Sequence, residues 1–438
     1  VSRIIRSLLC YGSTRTATFN FSSWYNLLVA QLLKTIARNT IFQIAGKIIS
    51  TTLGVLITIL LTRYLGPEGY GQYTFVLVFI TMFGVIGDWG FSLITIREAS
   101  RNLEEAGKII GNVLVIRLIL AVVAMAAAII AVHLLPYSEN IRLLVTIGSI
   151  YLLAISVKTS FQIVFNVKLK MENWAVSEIA ANSLALTLII ILIVNKASLW
   201  EILLAFNAGH LVAAVVAGYL ALRLLPIKFS LIIPSTKYLL KECLPMGAIL
   251  VLFTVYNRMD TLILAYYHGD TAVGIYGAAY RIFEVLVLGA AYFANSLLPE
   301  ISKLAVDNKP ALKKLFFKSL IILLGMGFFV AIINFIFAPI GIAIIGGEKF
   351  AASVTPLRIL SLALIVSYFN HLGGFTLIAL GKQWWSFRIA IIALIVNLIL
   401  NLILIPRFSY NAAAFTTFLT EGLIVIITVF LIKHELDN

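Results

Sequence analysis

Charge is what this chain has least of. Asp, Glu, Lys and Arg together make up 12% of its 438 residues, about half the share of an ordinary soluble protein. With 61% hydrophobic residues and a mean hydropathy of +1.03, too little polar surface remains to clothe a water-soluble body, so the apolar stretches must face lipid. Cysteine is nearly absent as well. Cys10 and Cys243 fall on segments assigned below to the cytoplasmic side, which argues against a disulfide. No Cys/His cluster has metal-ligand spacing, so neither a metal nor a cofactor is expected. No loop between apolar stretches is long enough for an extramembrane catalytic domain, and a protein that is not an enzyme is expected.

What charge there is leans to one sign, with a formal net of +14. In a soluble domain that balance would suggest nucleic acid. Here basic cytoplasmic loops account for it, and no nucleic-acid partner is expected.

A spanning helix needs about 20 mostly apolar residues. Twelve stretches qualify: 41–62, 72–96, 110–133, 142–164, 175–195, 201–222, 244–266, 274–297, 317–338, 357–380, 387–405 and 412–432. The fold class expected is therefore an all-α polytopic membrane protein of about twelve transmembrane helices. Pro339 is expected to end or kink the long stretch 315–346. Lys and Arg gather several-fold on the loops that share a side with the N-terminus, which puts both termini in the cytoplasm of a cell membrane.

These stretches divide the chain. Residues 1–38 read as a basic cytoplasmic tail. Its first 28 residues carry Arg3, Arg6 and Arg15 but no acid. A transit peptide has that look; a tail or an upstream extension fits better, because the first residue is Val. Residues 39–226 and 244–438 each read as a six-helix bundle. Residues 227–243 form an amphipathic linker expected to lie along the headgroups, with Tyr238, Leu239 and Leu240 beside Lys237 and Lys241.

The second half repeats the first at an offset near 203. The turn after the first span runs from Tyr64 through Gly66 and Gly71 to Tyr73. The turn after the seventh runs from Tyr267 through Gly269 and Gly274 to Tyr276. Each half has an even number of spans, so the halves are parallel repeats, and a substrate site is expected between them near the midplane. The glycines suit a tight turn that needs positive φ or close backbone approach.

Ionisable groups inside a bilayer are costly and mark a cavity or a partner. The first half holds Lys47, Asp88, Arg117 and Lys158; the second holds Arg258, Asp260, Arg281, Glu284 and Glu421. Lys47, Arg117, Lys158 and Arg258 are the candidate cargo-binding cations. Asp88, Asp260, Arg281, Glu284 and Glu421 are candidate coupling or structural charges, with Na⁺ or H⁺ as the coupling ion at Glu421. Asp88 could instead pair with Arg117, and Arg281 shares a helix face with Glu284. Arg258 and Asp260 lie two apart and cannot face the same way. The surplus of cations in the first half calls for an anionic cargo such as a pyrophosphate-linked lipid head group. His133, His210 and His371 read as interhelical hydrogen bonders. Gly373 and Gly374 mark a span able to bend.

About residues 30–435, and most strongly residues 35–101, resemble the polysaccharide transporter family of the multidrug/oligosaccharidyl-lipid/polysaccharide exporter superfamily. The resemblance rests on Ala37-Arg-Asn-Thr40, Leu61-Thr-Arg-Tyr-Leu-Gly-Pro-Glu-Gly-Tyr-Gly-Gln-Tyr73, Asp88-Trp-Gly90 and Arg97-Glu98, with Arg258-Met-Asp260 and Gly274-Ile-Tyr276 in the second half. It implies a V-shaped pair of six-helix bundles like the multidrug extruders. It also implies alternating access, with a lipid-linked oligosaccharide crossing through the central cavity while its tail stays among the membrane lipids, and a monomer. Only Arg258 and Asp260 match the family pattern residue by residue. A cation-coupled drug exporter of the same fold is the alternative; it would favour acidic cavity groups. A carrier of the major facilitator type is disfavoured because the loop after the second span reads Arg97-Glu-Ala-Ser-Arg-Asn-Leu-Glu-Glu. A sugar-lipid polymerase or ligase would need a larger outside loop.

Overall fold

The computed structural model describes residues 21–229, 231 and 233–437. The sequence expectations about Cys10 and the first 20 residues fall outside these. Eleven α-helices account for nearly all of the described chain, and no strand occurs among the described residues. They are α1 Phe21–Asp88, α2 Phe91–Arg101, α3 Ala106–Leu134, α4 Glu139–Gly148, α5 Ile150–Val167, α6 Met171–Val194, α7 Leu199–Leu224, α8 Ile233–Asp307, α9 Lys309–Gly346, α10 Val354–Ala379 and α11 Gln383–Asp437. A short 3₁₀ helix, Glu348–Ser353, links α9 to α10.

Nine stretches of the described residues are long and apolar enough to cross a membrane. Three of these, Asn39–Arg101, Met246–Ala305 and Gln383–Leu436, run to 63, 60 and 54 residues. At about 1.5 Å per residue each exceeds twice the roughly 30 Å hydrocarbon thickness. Asn39–Arg101 is broken at Gly66 and again at Trp89 and Gly90, Met246–Ala305 at Gly269, and Gln383–Leu436 at Ser409. Gly66 (φ 69°, ψ −177°) and Gly269 (φ 71°, ψ −173°) adopt the same conformation, which only glycine reaches without strain. The repeat seen in the sequence is thus a repeat of backbone geometry.

The two turns also touch. A Cβ built on Gly71 would lie 1.7 Å from the carbonyl oxygen of Asp270, and one on Gly274 would lie 1.9 Å from that of Pro67. Residue 67 stands to 270 as 71 does to 274, so the contact is self-complementary about a pseudo-two-fold axis. The first half also clasps α9. Thr62 Oγ1 donates to the Ile345 carbonyl at 2.6 Å and Arg63 Nη2 to that of Ile344 at 2.9 Å. These are among the last carbonyls of a helix, which lack partners within it.

The structure adds detail to four expectations. Pro339 does not end a helix, since α9 runs through it to Gly346. Lacking an N–H, it leaves the Phe335 carbonyl without its helical donor, and Arg358 Nε of α10 donates there instead, at 3.3 Å. The stretch 72–96 is not one helix: it breaks at Trp89 (φ 39°) and Gly90 (φ 78°), where Gly90 packs against Met246 and Gly247. The linker packs one side against the bundle. From Ile233 onward it is helical and continues into the next span, while Leu239 and Cys243 are buried in a cluster with Phe91, Val113 and Ile116. Finally, α10 is continuous through Gly373, where a Cβ would meet Thr428 of α11, so this glycine also lets two helices approach.

Candidate cargo site between the two halves

The charged side chains inside the spans sort into three groups. The first surrounds Arg117 of α3, which is 2% exposed. Its Nη2 lies 3.2 Å from Asp88 Oδ1 and donates to Thr159 Oγ1 at 2.6 Å, while Nη1 donates to Ser92 Oγ at 3.1 Å. Ser92 donates in turn to Asp88 at 2.9 Å. A cavity of about 140 Å³ lies beside this network between α1, α3 and α5. Arg117 is therefore held rather than free. The buried Cys243 on the linker borders the same region, and burial pushes its thiol up to about 12.

The second group is an ion pair that the sequence reading missed. Lys158 is 3% exposed, and its Nζ lies 2.6 Å from Glu178 Oε1 and 5.1 Å from the centre of the Trp174 ring. Glu178 sits inside the expected span 175–195, so counting acids within that span would have found it. The first half's surplus of buried cations is smaller than a count without Glu178 suggests. His210 packs nearby, its ring 4.8 Å from Tyr151 and 4.5 Å from Phe206.

The third group lies where the halves face each other. Glu284 bridges two arginines, with Arg258 Nη2 at 3.3 Å from one carboxylate oxygen and Arg281 Nη1 at 3.4 Å from the other. Each of the three is about one-third exposed. One acid shared by two guanidiniums leaves net positive charge. The cluster meets the first half directly, since a Cβ on Gly54 of α1 would stand 2.9 Å from Arg281 Nη2. Lys47 precedes Gly54 by seven residues, which puts both on one face of α1. Lys47 is exposed, and among the described residues it has no partner. Lys47, Arg258 and Arg281 are therefore the cations between the halves with donors to spare.

The remaining acids face away from these cations. Asp260 is 5% exposed. It accepts from Tyr276 Oη, and from Thr261 N at 2.7 Å, so it and Arg258 do occupy different faces. Glu421 accepts from Asn370 Nδ2, and from Tyr256 Oη at 3.3 Å. Its partners come from α8 and α10, which its own span could not reveal. Thr420, Asn397 and Asn401 continue this chain of polar contacts. Among the described residues no cluster of His, Cys, Asp or Glu could hold a metal ion.

Paired charges inside a helical bundle, and two halves meeting at a pair of repeated turns, define a multi-pass membrane protein with a transporter fold. Solved structures agree on the fold. An inward-facing multidrug resistance transporter of the MATE family superposes with a TM-score of 0.74 at 14% identity, over 89% of this chain and 94% of that one. The lipid II flippase MurJ superposes at 0.73 and 15% identity, over 90% and 87%. The chain belongs to the polysaccharide biosynthesis protein family, whose model matches residues 36–305; a second model, MatE, matches residues 245–403. A probable flippase, AglR of Haloferax volcanii, is 31% identical over 38% of this chain and 36% of its own length. A putative O-antigen transporter of Shigella dysenteriae is 23% identical over 83% of this chain and 92% of its own length.

Proposed function

We propose that the protein is a flippase that carries a lipid-linked oligosaccharide, on a polyprenyl pyrophosphate, from the cytoplasmic to the outer leaflet by alternating access. The observation that carries this reading is the likeness to a putative O-antigen transporter along most of both chains. The cations with spare donors between the halves, Lys47, Arg258 and Arg281, support an anionic head group as cargo. Twelve crossings in two parallel sets of six, with both termini in the cytoplasm, follow from the repeat and the basic loops. The protein works as a monomer in the cytoplasmic membrane, and Glu421 is the candidate group for coupling to H⁺ or Na⁺.

Depletion in a host that makes the sugar lipid tests this. Lipid-linked sugar is expected to accumulate facing the cytoplasm, protected from an impermeant enzyme added outside. Unchanged sidedness after depletion overturns the reading. The match of residues 245–403 to the MatE model favours a drug exporter as the second reading. It requires depletion to raise drug susceptibility and leave sugar-lipid sidedness alone.

A further inference from the structure

Arg358 has one engagement that serves the fold and two that are open. Its Nε satisfies the Phe335 carbonyl freed by Pro339, and its guanidinium lies 5.2 Å from the centre of the Phe335 ring. Among the described residues no carboxylate pairs with it, and Nη1 and Nη2 make no hydrogen bond. Its level in the bilayer follows from α10. Arg358 stands about 32 Å of helix from Ala379, where α10 ends, and Lys382 follows in the turn just beyond; that length matches the roughly 30 Å hydrocarbon layer. A Lys382 at one headgroup boundary puts Arg358 at the other, where lipid phosphates lie.

Phe335, the ring beneath the Arg358 guanidinium, lines one end of a groove of about 270 Å³ between α9 and α10. The groove is lined by Phe328, Ile332, Phe335, Ile336, Leu362 and Ile365 among others, and its exposed lining is apolar throughout. Phe328 lies seven residues below Phe335, and Ile365 seven residues beyond Arg358 in the opposite chain direction. The groove therefore descends about 10 Å from the arginine toward the bilayer centre. A cation at phosphate level above an apolar groove matches a lipid in both charge and polarity. A membrane-level cation without an acidic partner is otherwise costly.

We propose that this flank is a binding site for a membrane phospholipid of the leaflet opposite Lys382. One acyl chain lies in the groove, and the phosphate accepts hydrogen bonds from Arg358 Nη1 and Nη2. The site is separate from the cations between the halves, so it stands whether or not those bind the cargo.

The test is native mass spectrometry of the purified full chain, released from neutral detergent supplemented with phosphatidylglycerol or with a diacylglycerol of the same chains. The wild type is expected to retain at least five-fold more phosphatidylglycerol than diacylglycerol. Arg358→Gln should abolish that preference. Ile365→Trp, which fills the groove and leaves the arginine in place, should lower retention of phosphatidylglycerol several-fold. Undiminished retention by a folded Arg358→Gln protein overturns the proposal. Should that variant not fold, undiminished retention by Ile365→Trp overturns it alone. Displacement of phosphatidylglycerol by equimolar polyprenyl phosphate would also overturn it, by making the groove a seat for the cargo's own tail.

Discussion

At the scale of single residues, burial separates the cations that hold the protein together from those with donors to spare. Lys158 is almost fully enclosed and 2.6 Å from Glu178; Lys47 is exposed. A buried pair contributes little net stability, because desolvating two ions offsets their attraction, yet removing one partner strands the other at a cost of about 3–5 kcal/mol. Lys158→Met should therefore lower the melting temperature in detergent markedly. Adding Glu178→Met should recover most of the loss, and Lys47→Met should leave the melting temperature within about a degree of wild type. A Lys158→Met protein as stable as wild type would mean that Glu178 has another partner. The sequence reading gave Lys158 and Lys47 the same role because both lie at similar depth in a span. Depth is set by position along one helix, whereas burial is set by which helix packs alongside, and that second quantity is tertiary.

At the scale of elements the same distinction decides what was legible. The turns at Gly66 and Gly269 could be read directly, because a backbone conformation reserved for glycine leaves its mark in the residue type and the motif occurs twice. The break at Trp89–Gly90 could not, because Gly90 is fixed by Met246 and Gly247 from the other half of the chain. That Pro339 does not end its helix was hidden for the converse reason. Proline breaks a helix when the carbonyl it frees has nowhere to go; here Arg358, on the next helix, takes it. The two residues should therefore be energetically coupled. Arg358→Leu should destabilise the wild type by about 1–3 kcal/mol, through a carbonyl left without a donor where the helix faces lipid rather than water. In a Pro339→Ala background the new N–H supplies that donor, so the same substitution should cost clearly less. A double-mutant cycle on the melting transition measures the difference. Equal costs in the two backgrounds would show that the arginine's role lies elsewhere.

At the scale of the whole molecule, the self-complementary contact of the two turns links the repeat to transport. Gly71 rests on Asp270 and Gly274 on Pro67, and one helical turn further along each strand of the repeat Thr74 faces Gly277. An alternating-access cycle that opens this end must part these residues, since the two turns join the first half to the second at one end of the spans. A covalent bond across the pair should therefore arrest the cycle. A Cβ on Gly277 would stand 3.6 Å from Thr74 Cβ, within the roughly 3.5–4.5 Å that a disulfide requires. In a background with Cys10 and Cys243 replaced by Ser, Thr74→Cys with Gly277→Cys should form a disulfide under mild oxidant. That disulfide should stop the transfer of lipid-linked sugar out of the cytoplasmic leaflet. Reductant should restore transfer to the level of the single-cysteine controls. Reversibility separates a locked gate from a protein damaged by substitution. Transfer that persists after the disulfide is verified by mass would mean that this end stays shut throughout the cycle, and that the cargo leaves by a lateral path through one half.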